Sequence, residues 1–348
     1  MTEPHLAAIA TAVPPYELRQ ADVIERSMRI FDRRQSDIDR LMPVYANAGI
    51  ETRYSCVPLE WYEREHSWAE RNDLYVKNAV LLLAEAAANC LARAGRGFDE
   101  IDALVTVSTT GISTPSLDAL LMERLPFRRD VTRLPVFGLG CAGGVLGLAR
   151  AAALARARPG TRVLFLVVEL CALTFRKIDQ SKSNIIATAL FGDGAAAALL
   201  EAEGPGPAVV SWGEYTWPDS LDVMGWNIAD DGLGVLFSRD IPNLVRTQFR
   251  AAVDRFLTGC DLAVRDIDAF VCHPGGAKVI AALEEAFALP PGELAEARAV
   301  LRKYGNMSAA TVLFVLERML TRVRRRYLLS ALGPGFTAGF LTLEADAA

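Results

Sequence analysis

The sequence predicts an α/β protein built from two similar halves. Short apolar runs such as "ALVTVSTT", "RVLFLVVE" and "AFVCH" alternate with helical patterns such as "LYVKNAVLLLAEAAANCLARAG" and "VIAALEEAFAL". An Ile-Asp-Ala lead into an apolar strand occurs twice, at Ile101 and at Ile267. Each copy is followed by a small-residue turn that opens a helix, "GLGCAGGVLGLARAAAL" in the first and "YGNMSAATVLFVLERML" in the second. Chance similarity of short motifs is the alternative to duplication.

The segment "EGPGPA" at 203–208 is the most linker-like part of the chain. It divides the chain into an N-terminal half, 1–205, and a C-terminal half, 206–348. The whole chain is long enough to bury a large core, and we expect the two halves to pack as one body.

Charge and hydropathy argue against binding to nucleic acid and against a membrane span. The 348 residues carry 37 Lys and Arg against 42 Asp and Glu, without a long basic run, which argues against nucleic acid. The longest apolar stretch, "VLFLVVELCALTF", is short for a membrane span and contains Glu169. The N-terminal residues lack the basic region of a signal peptide, so we expect a cytoplasmic protein without a membrane span.

Cysteines and histidines narrow the possible chemistry. The six cysteines show neither CxxC nor metal-ligand spacing, which favours free thiols over disulfides or a metal site. Of the three histidines, His273 follows the apolar run "IDAFVC" and precedes Pro-Gly-Gly, at the predicted end of a buried strand. It is either a functional imidazole or a structural histidine bonded to a backbone carbonyl.

Cys141 lies among glycines at a predicted helix start. There the helix dipole favours a thiolate, and free backbone N–H groups are suited to an oxyanion. A packed core cysteine is the alternative. Asn306 lies at the matching helix start of the second half, as an amide donor or as a helix N-cap. Cysteine, histidine and amide meeting at the junction of the halves would suit thioester chemistry.

Five motifs in order carry a family resemblance. They are "GCAGG" around Cys141, "LFGDGAA" at 190–196, "CHPGGAK" at 272–278, "YGNMSAA" at 304–310 and "LGPGFTAGF" at 332–340. Through them the sequence resembles, over essentially its whole length, the type III polyketide synthases, the chalcone-synthase-like members of the thiolase fold. The resemblance implies a thiolase-like fold, with two α/β halves in a five-layered αβαβα body, and a homodimer.

The resemblance also implies an acyltransferase mechanism. Cys141 would receive a starter acyl group from its CoA thioester. His273 and Asn306 would bind the thioester carbonyl of malonyl-CoA and promote its decarboxylation to an enolate, which attacks the acyl chain on the cysteine. The CoA thioesters are the substrates, and neither a metal nor another cofactor is implied.

The family's cavity residues map onto further positions. Phe191 would be the aromatic gatekeeper between CoA tunnel and cavity, and Gly333, Pro334 and Gly335 would form a loop that shapes the cavity wall. A second gatekeeper phenylalanine of plant enzymes is replaced by Val235, and a methionine near their cavity by Thr114. Trp226 would fill part of the elongation space, while Cys171 and Thr174 would line the cavity. Cys171, Thr174 and Phe191 could equally be core residues.

This pattern is similar to the bacterial branch that makes alkylpyrones or alkylresorcinols from fatty acyl-CoA. It implies an apolar, long-chain starter and few malonyl additions. At the tunnel mouth, Pro43 and Asn47 occupy the places of plant residues that bind CoA phosphates. Arg40, Arg53 and Lys278 are the candidate replacements.

Two other functions fit parts of the sequence. A ketoacyl-acyl-carrier-protein synthase of the initiating type uses the same three residue types with carrier-bound malonate. The "GDG", "HPGGAK" and "GPG" motifs argue against it. A non-catalytic thiolase-fold partner would not need the cysteine.

Overall fold

A computed structural model describes residues 3–31, 43–202, 204–322 and 324–345. The strands are β1 (His5–Ala12), β2 (Tyr16–Arg19), β3 (Thr52–Ser55), β4 (Ala103–Val107), β5 (Thr132–Val136), β6 (Val163–Leu170), β7 (Asp193–Glu201), β8 (Ala208–Thr216), β9 (Met224–Ala229), β10 (Gly232–Phe237), β11 (Ala269–Cys272), β12 (Arg326–Gly333) and β13 (Thr337–Glu344). The helices are α1 (Gln20–Ile30), α2 (Trp68–Ala94), α3 (Leu117–Arg124), α4 (Gly143–Ala157), α5 (Lys182–Leu190), α6 (Ile241–Leu244), α7 (Arg250–Thr258), α8 (Ala277–Phe287), α9 (Ala295–Tyr304) and α10 (Thr311–Met319).

Nine strands form one mixed sheet with a repeated topology. Its order is β11-β12-β13-β8-β1-β7-β6-β4-β5. In the first half, β7 is antiparallel to both β1 and β6, and β4 is parallel to β6. The second half repeats this arrangement with β13 between β8 and β12, and with β11 parallel to β12. The duplicated α/β architecture predicted from the sequence is therefore confirmed.

Two central helices lie between the two halves of the sheet. Helix α4 packs against α10 and contacts strands of both halves. Their close approach depends on glycine: a Cβ on Gly144 would lie 2.2 Å from the carbonyl oxygen of Ala309. With α2 outside the first half and α7 outside the second, the body has five layers.

Helix α2 is the one described helix long and apolar enough, by length and composition, to cross a membrane. In this fold it packs on β1, β6 and β7 as a core helix. A capping box starts it, because Ser67 Oγ accepts from the amide of Glu70 and Glu70 Oε2 accepts from the amide of Ser67. Gly95, with φ of 66°, ends it in the left-handed conformation.

Candidate active site

Cys141 lies in the 3₁₀ turn Gly140–Ala142, directly before α4. The turn is packed tightly by the loop that follows β12. A Cβ on Gly140, whose φ is +46°, would lie 2.5 Å from Pro334, and one on Gly333 would lie 2.4 Å from the carbonyl oxygen of Leu139. The Gly333–Gly335 loop thus holds the cysteine turn in place through backbone contact.

His273 follows β11 and is only 5% exposed. Its backbone amide donates to the carbonyl oxygen of Ser330 at 2.8 Å, which fixes the residue at the strand end. Neither ring nitrogen has a hydrogen-bond partner among the described residues. Burial lowers the pKa of His273 to about 3, so the imidazole is neutral near pH 7. A neutral imidazole with two free nitrogens can accept one proton and donate another.

Asn306 is fully buried before the 3₁₀ turn that leads into α10. Its Oδ1 accepts from the amide of Ser308 at 2.8 Å, and its Nδ2 donates to the carbonyl oxygen of Gly275 at 3.2 Å. These two bonds fix the orientation of the amide, and no other described residue accepts the second N–H of Nδ2. The side chain therefore both caps the turn and retains a donor.

Cys141, His273 and Asn306 line one cavity of about 410 Å³. The rest of its wall is mostly apolar and includes Met224 and Phe237. A thiol, a neutral imidazole and a free amide N–H in a mostly apolar cavity are the groups that acyl transfer through an oxyanion requires.

The protonation state of Cys141 differs from the sequence-based expectation. The helix start was expected to favour a thiolate, whereas burial raises the pKa of the Cys141 thiol to about 12. The nearby Glu169 carboxyl adds to this effect, and the neutral His273 supplies no positive charge. The free site consequently holds a thiol, which must lose its proton as it reacts.

An open outer cavity of about 1000 Å³ adjoins this inner one. The two share Phe237, Ile241, Gly275 and Val279 in their walls. Three basic residues from different elements line the outer cavity: Lys182, Arg239 and Lys278. Lys278, one of the candidate CoA contacts, lies in this wall together with Pro43 and Asn47. Arg40 lies outside the described residues.

Arg53 is not available to bind CoA, contrary to the sequence-based candidate. It is 2% exposed, and its guanidinium donates to the carbonyl oxygens of Thr188, Ala189 and Phe191. Burial lowers its pKa to about 10. Arg53 instead holds the end of α5 and the Phe191 segment against β3.

The aromatic residues of the site come from both halves. Phe191 meets Trp226 edge to face, with ring centroids 6.4 Å apart, and Trp226 Nε1 donates to the carbonyl oxygen of Thr109 at 3.0 Å. Val235 lies opposite Trp226 in the β9–β10 hairpin, outside the walls of the inner and outer cavities. Phe237 lines both cavities, and the sequence analysis did not predict it. Period-two alternation puts residues 235 and 237 on one face, but it does not show which of the two reaches the cavity.

Thr114 was expected near the cavity, but it is exposed on the surface of the chain. Cys171 begins the 3₁₀ turn Cys171–Thr174 that follows β6. Thr174 Oγ1 donates to the carbonyl oxygen of Cys171 at 2.7 Å. Cys171, Thr174 and Phe191 line a further cavity of about 530 Å³ that extends beneath α1.

Comparison with known proteins places this site in a family. The model for the N-terminal domain of chalcone and stilbene synthases matches residues 2–205, and the model for the C-terminal domain matches residues 209–344. A putative chalcone synthase of Bacillus subtilis is 40% identical over 97% of both chains. A 1,3,6,8-tetrahydroxynaphthalene synthase of Streptomyces peucetius is 38% identical over 97% of this chain and 92% of its own.

The fold agrees with the sequence relatives. The crystal structure of 1,3,6,8-tetrahydroxynaphthalene synthase from Streptomyces coelicolor, a bacterial type III polyketide synthase, superposes with a TM-score of 0.94 at 26% identity. The match covers 99% of this chain and 100% of that one. The chain belongs to the chalcone and stilbene synthase family and is a type III polyketide synthase, an acyltransferase of the thiolase-like fold.

Proposed function

We propose that the protein condenses malonyl-CoA onto a long-chain fatty acyl starter bound to Cys141, giving alkylpyrone or alkylresorcinol-type products. The observation that carries the proposal is the inner cavity. Cys141, His273 and Asn306 line this cavity. Both ring nitrogens of His273 and one N–H of the Asn306 amide have no hydrogen-bond partner among the described residues. Neither a metal nor a further cofactor takes part in the proposed reaction.

In loading, the Cys141 thiol passes its proton to the neutral imidazole of His273 as its sulfur forms a bond to the starter carbonyl carbon. The bond from that carbon to the CoA sulfur breaks. The departing thiolate takes the proton back from His273 and leaves as CoA. The raised pKa of the thiol makes a nearby proton acceptor necessary for this step.

Condensation uses the same groups as hydrogen-bond donors. An N–H of His273 and the unused N–H of Asn306 hold the thioester oxygen of malonyl-CoA, where negative charge develops as CO₂ leaves. The enolate carbon attacks the starter carbonyl, the bond to the Cys141 sulfur breaks, and the departing cysteine thiolate takes up a proton from solvent. The extended chain is then a thioester of CoA and can return to the cysteine.

The cavity beneath α1 supports a fatty starter. Most of its wall is apolar, with Leu18, Val23, Ile30, Leu59 and Phe175 among the lining residues. The charged Arg26 in its wall is paired with Glu60 and Glu63, and Arg53 is bonded to backbone carbonyls. An alkyl chain can enter without leaving these charges unpaired.

We also propose a cytoplasmic homodimer. Strand β5 forms one edge of the main sheet and β11 forms the other. A second copy can pair with β5 through its backbone groups. Phe137, at the end of β5, is 59% exposed, and the nearby loop exposes Ile112 next to Thr114. Joining two copies along this edge would cover these apolar side chains and bring Thr114 into the interface.

The test is product analysis by mass spectrometry. Purified protein receives malonyl-CoA with acetyl, aromatic and long-chain acyl-CoA starters, and Cys141→Ala is the control. Alkylated pyrones or resorcinols from long-chain starters, lost in the control, are the expected result. If only short or aromatic starters give products, the proposal of a fatty acyl starter is overturned. Condensation with carrier-bound malonate alone would favour the ketoacyl synthase alternative.

A further inference from the structure

Asp193, in the "GDG" stretch at the start of β7, has a carboxylate that takes no part in the proposed reaction. The residue is fully buried, and burial raises its pKa to about 7. The groups that oppose this shift are hydrogen-bond donors of Cys56 and Ala172, and no cation of the described chain is among them. A buried carboxylate without a paired cation is costly, so the hydrogen bonds that it accepts must compensate.

The two oxygens of this carboxylate bind two separate segments of the chain. Oδ2 accepts from the backbone amide of Cys56 at 3.0 Å, directly after β3. Oδ1 accepts from the backbone amide of Ala172 at 2.8 Å, in the turn after β6. Hydrogen bonds to an ionised acceptor are stronger than those between neutral groups, so one side chain holds both segments firmly. We call Asp193 with these two amides the Asp193 clamp.

The clamp connects two walls of the cavity beneath α1. The segment after β3 lines this cavity with Leu59 and Tyr62, and the turn after β6 leads to Thr174 and Phe175 in the other wall. The rings of Tyr62 and Phe175 meet edge to face, with centroids 5.8 Å apart, so the two walls also touch each other. The Tyr62 hydroxyl is hydrogen-bonded to Ser55 Oγ at 2.7 Å, one residue before the clamped amide of the first segment. Releasing a clamped amide would therefore allow the walls to separate.

We propose that Asp193 is a positioning residue that sets the width of the cavity beneath α1 and thereby selects the acyl chain that this cavity accepts. While both amides are held, the two walls resist the separation that a chain of the wrong length or thickness requires. Asp193 acts through the segments that it binds, since it does not itself line the cavity. The inference rests on the proposed function, which places the acyl tail in this cavity.

Competition between starters tests the selection. Purified protein receives malonyl-CoA with equal amounts of decanoyl-, tetradecanoyl- and octadecanoyl-CoA, and mass spectrometry measures the alkylated products. Asp193→Asn preserves the side-chain volume but keeps only one acceptor oxygen, so one wall is released. The ratio of the most to the least favoured product should fall about fivefold.

Glu284→Gln is the matched control for this substitution. Glu284 is also a buried carboxylate that accepts from two backbone amides, those of Gly292 and Leu294, but it lies outside the cavity beneath α1. Its substitution should lower the free energy of unfolding and leave the product ratio unchanged. A loss of stability alone would therefore not alter the choice of chain.

Hydrogen exchange measures the clamp without turnover. Asp193→Asn should accelerate exchange at the amide of Cys56 or Ala172 about fivefold, and Glu284→Gln should accelerate neither. In a folded Asp193→Asn, exchange unchanged at both amides, or an unchanged product ratio, would overturn the inference.

A second variant keeps the inference testable if Asp193→Asn fails to fold. Tyr62→Phe removes the hydrogen bond to Ser55 and loosens the same wall, so the product ratio should fall in the same direction. An unchanged ratio in Tyr62→Phe would then overturn the inference. Absence of alkylated products from the wild type with every starter would instead overturn the proposed function, because the exchange comparison is made without turnover.

Discussion

Phe191 and Asn306 form an isolated parallel β-bridge between the two halves of the protein. The amide of Asn306 donates to the carbonyl oxygen of Leu190 at 2.8 Å, and the amide of Gly192 donates to the carbonyl oxygen of Asn306 at 3.0 Å. The backbone of the candidate gatekeeper is therefore bonded directly to the backbone of the candidate oxyanion donor. Movement of one segment must move the other.

This bridge requires glycine at Gly192. A Cβ there would lie 2.5 Å from the carbonyl oxygen of Tyr304, a backbone atom that cannot move aside freely. We predict that Gly192→Ala lowers the free energy of unfolding by about 1–3 kcal/mol and reduces condensation activity because Asn306 is displaced. Urea unfolding and product formation are the measurements.

Gly225→Ala is the matched control for this substitution. A Cβ on Gly225 meets no atom within 4 Å, so this variant should unfold like the wild type. If Gly192→Ala has the same free energy of unfolding as the wild type, the β-bridge tolerates a side chain at residue 192. That result would contradict the rigid coupling of Phe191 to Asn306.

His273 should control the reactivity of Cys141. Burial raises the pKa of the thiol, so its alkylation at pH 7 needs a proton acceptor, and the unpartnered imidazole is suited to that role. We predict that iodoacetamide labels Cys141 before the buried Cys56, Cys90, Cys171 and Cys272. His273→Ala should slow labelling of Cys141 by about 10²-fold.

The half-buried Cys260 serves as the internal reference for this experiment. Peptide mass spectrometry measures the labelling ratio of the two cysteines at pH 7. An equal ratio in wild type and His273→Ala would mean that the imidazole does not accept the thiol proton.

Asn306→Ala should separate the two half-reactions. Its unused N–H is expected to stabilise the enolate oxygen, so its removal should slow decarboxylation of malonyl-CoA to acetyl-CoA by about 10²–10³-fold. Acylation of Cys141 by the starter should persist in part. Intact-protein mass spectrometry measures acylation, and release of ¹⁴CO₂ measures decarboxylation. Loss of acylation to the same extent as decarboxylation would indicate a structural role for Asn306 instead.

Local sequence signals were enough to predict the candidate site residues that lie at the ends of secondary-structure elements. Cys141 and Asn306 precede helices and His273 ends a strand, so strand and helix patterns locate them. Arg53 could not be predicted in this way. Its role depends on carbonyl groups at the end of α5, far along the chain, which only the folded structure brings to it. Exposure of Thr114 likewise depends on tertiary packing.

The second gatekeeper position shows a different limit of prediction from the sequence. Val235 and Phe237 share one face of β10, so alternation cannot tell which of them reaches the cavity. The answer depends on where the β9–β10 hairpin sits relative to Cys141 and α6. Phe237 lines both cavities as a result, which no local pattern in the hairpin indicates.

The cavity beneath α1 should set the length of the starter. Val23 lines it, whereas Met28 on the same helix is exposed to solvent. We predict that Val23→Phe shortens the preferred acyl chain by filling part of the cavity, and that Met28→Phe leaves the preference unchanged. Competition between acyl-CoA starters of increasing length, analysed by mass spectrometry, gives the preference. An unaltered profile in Val23→Phe would mean that the tail lies elsewhere.

Glu169 should make stability depend on pH. Its Oε2 accepts from the Thr109 amide and the Thr110 hydroxyl, both at 2.9 Å, while its Oε1 is buried without a partner. Burial raises its pKa to about 7. Between the unfolded pKa and pH 7 the native state therefore binds more protons than the unfolded state, so stability falls as pH rises through this window.

Glu169→Gln removes this titration and should gain stability relative to wild type as pH increases from 5 to 8, by up to about 3 kcal/mol. Urea unfolding at the two pH values measures the change, with Glu85→Gln on the exposed face of α2 as the matched control. The comparison with wild type cancels contributions from Asp193 and His273, which both proteins share. A stability difference identical at pH 5 and pH 8 would show that Glu169 titrates alike in the folded and unfolded chains.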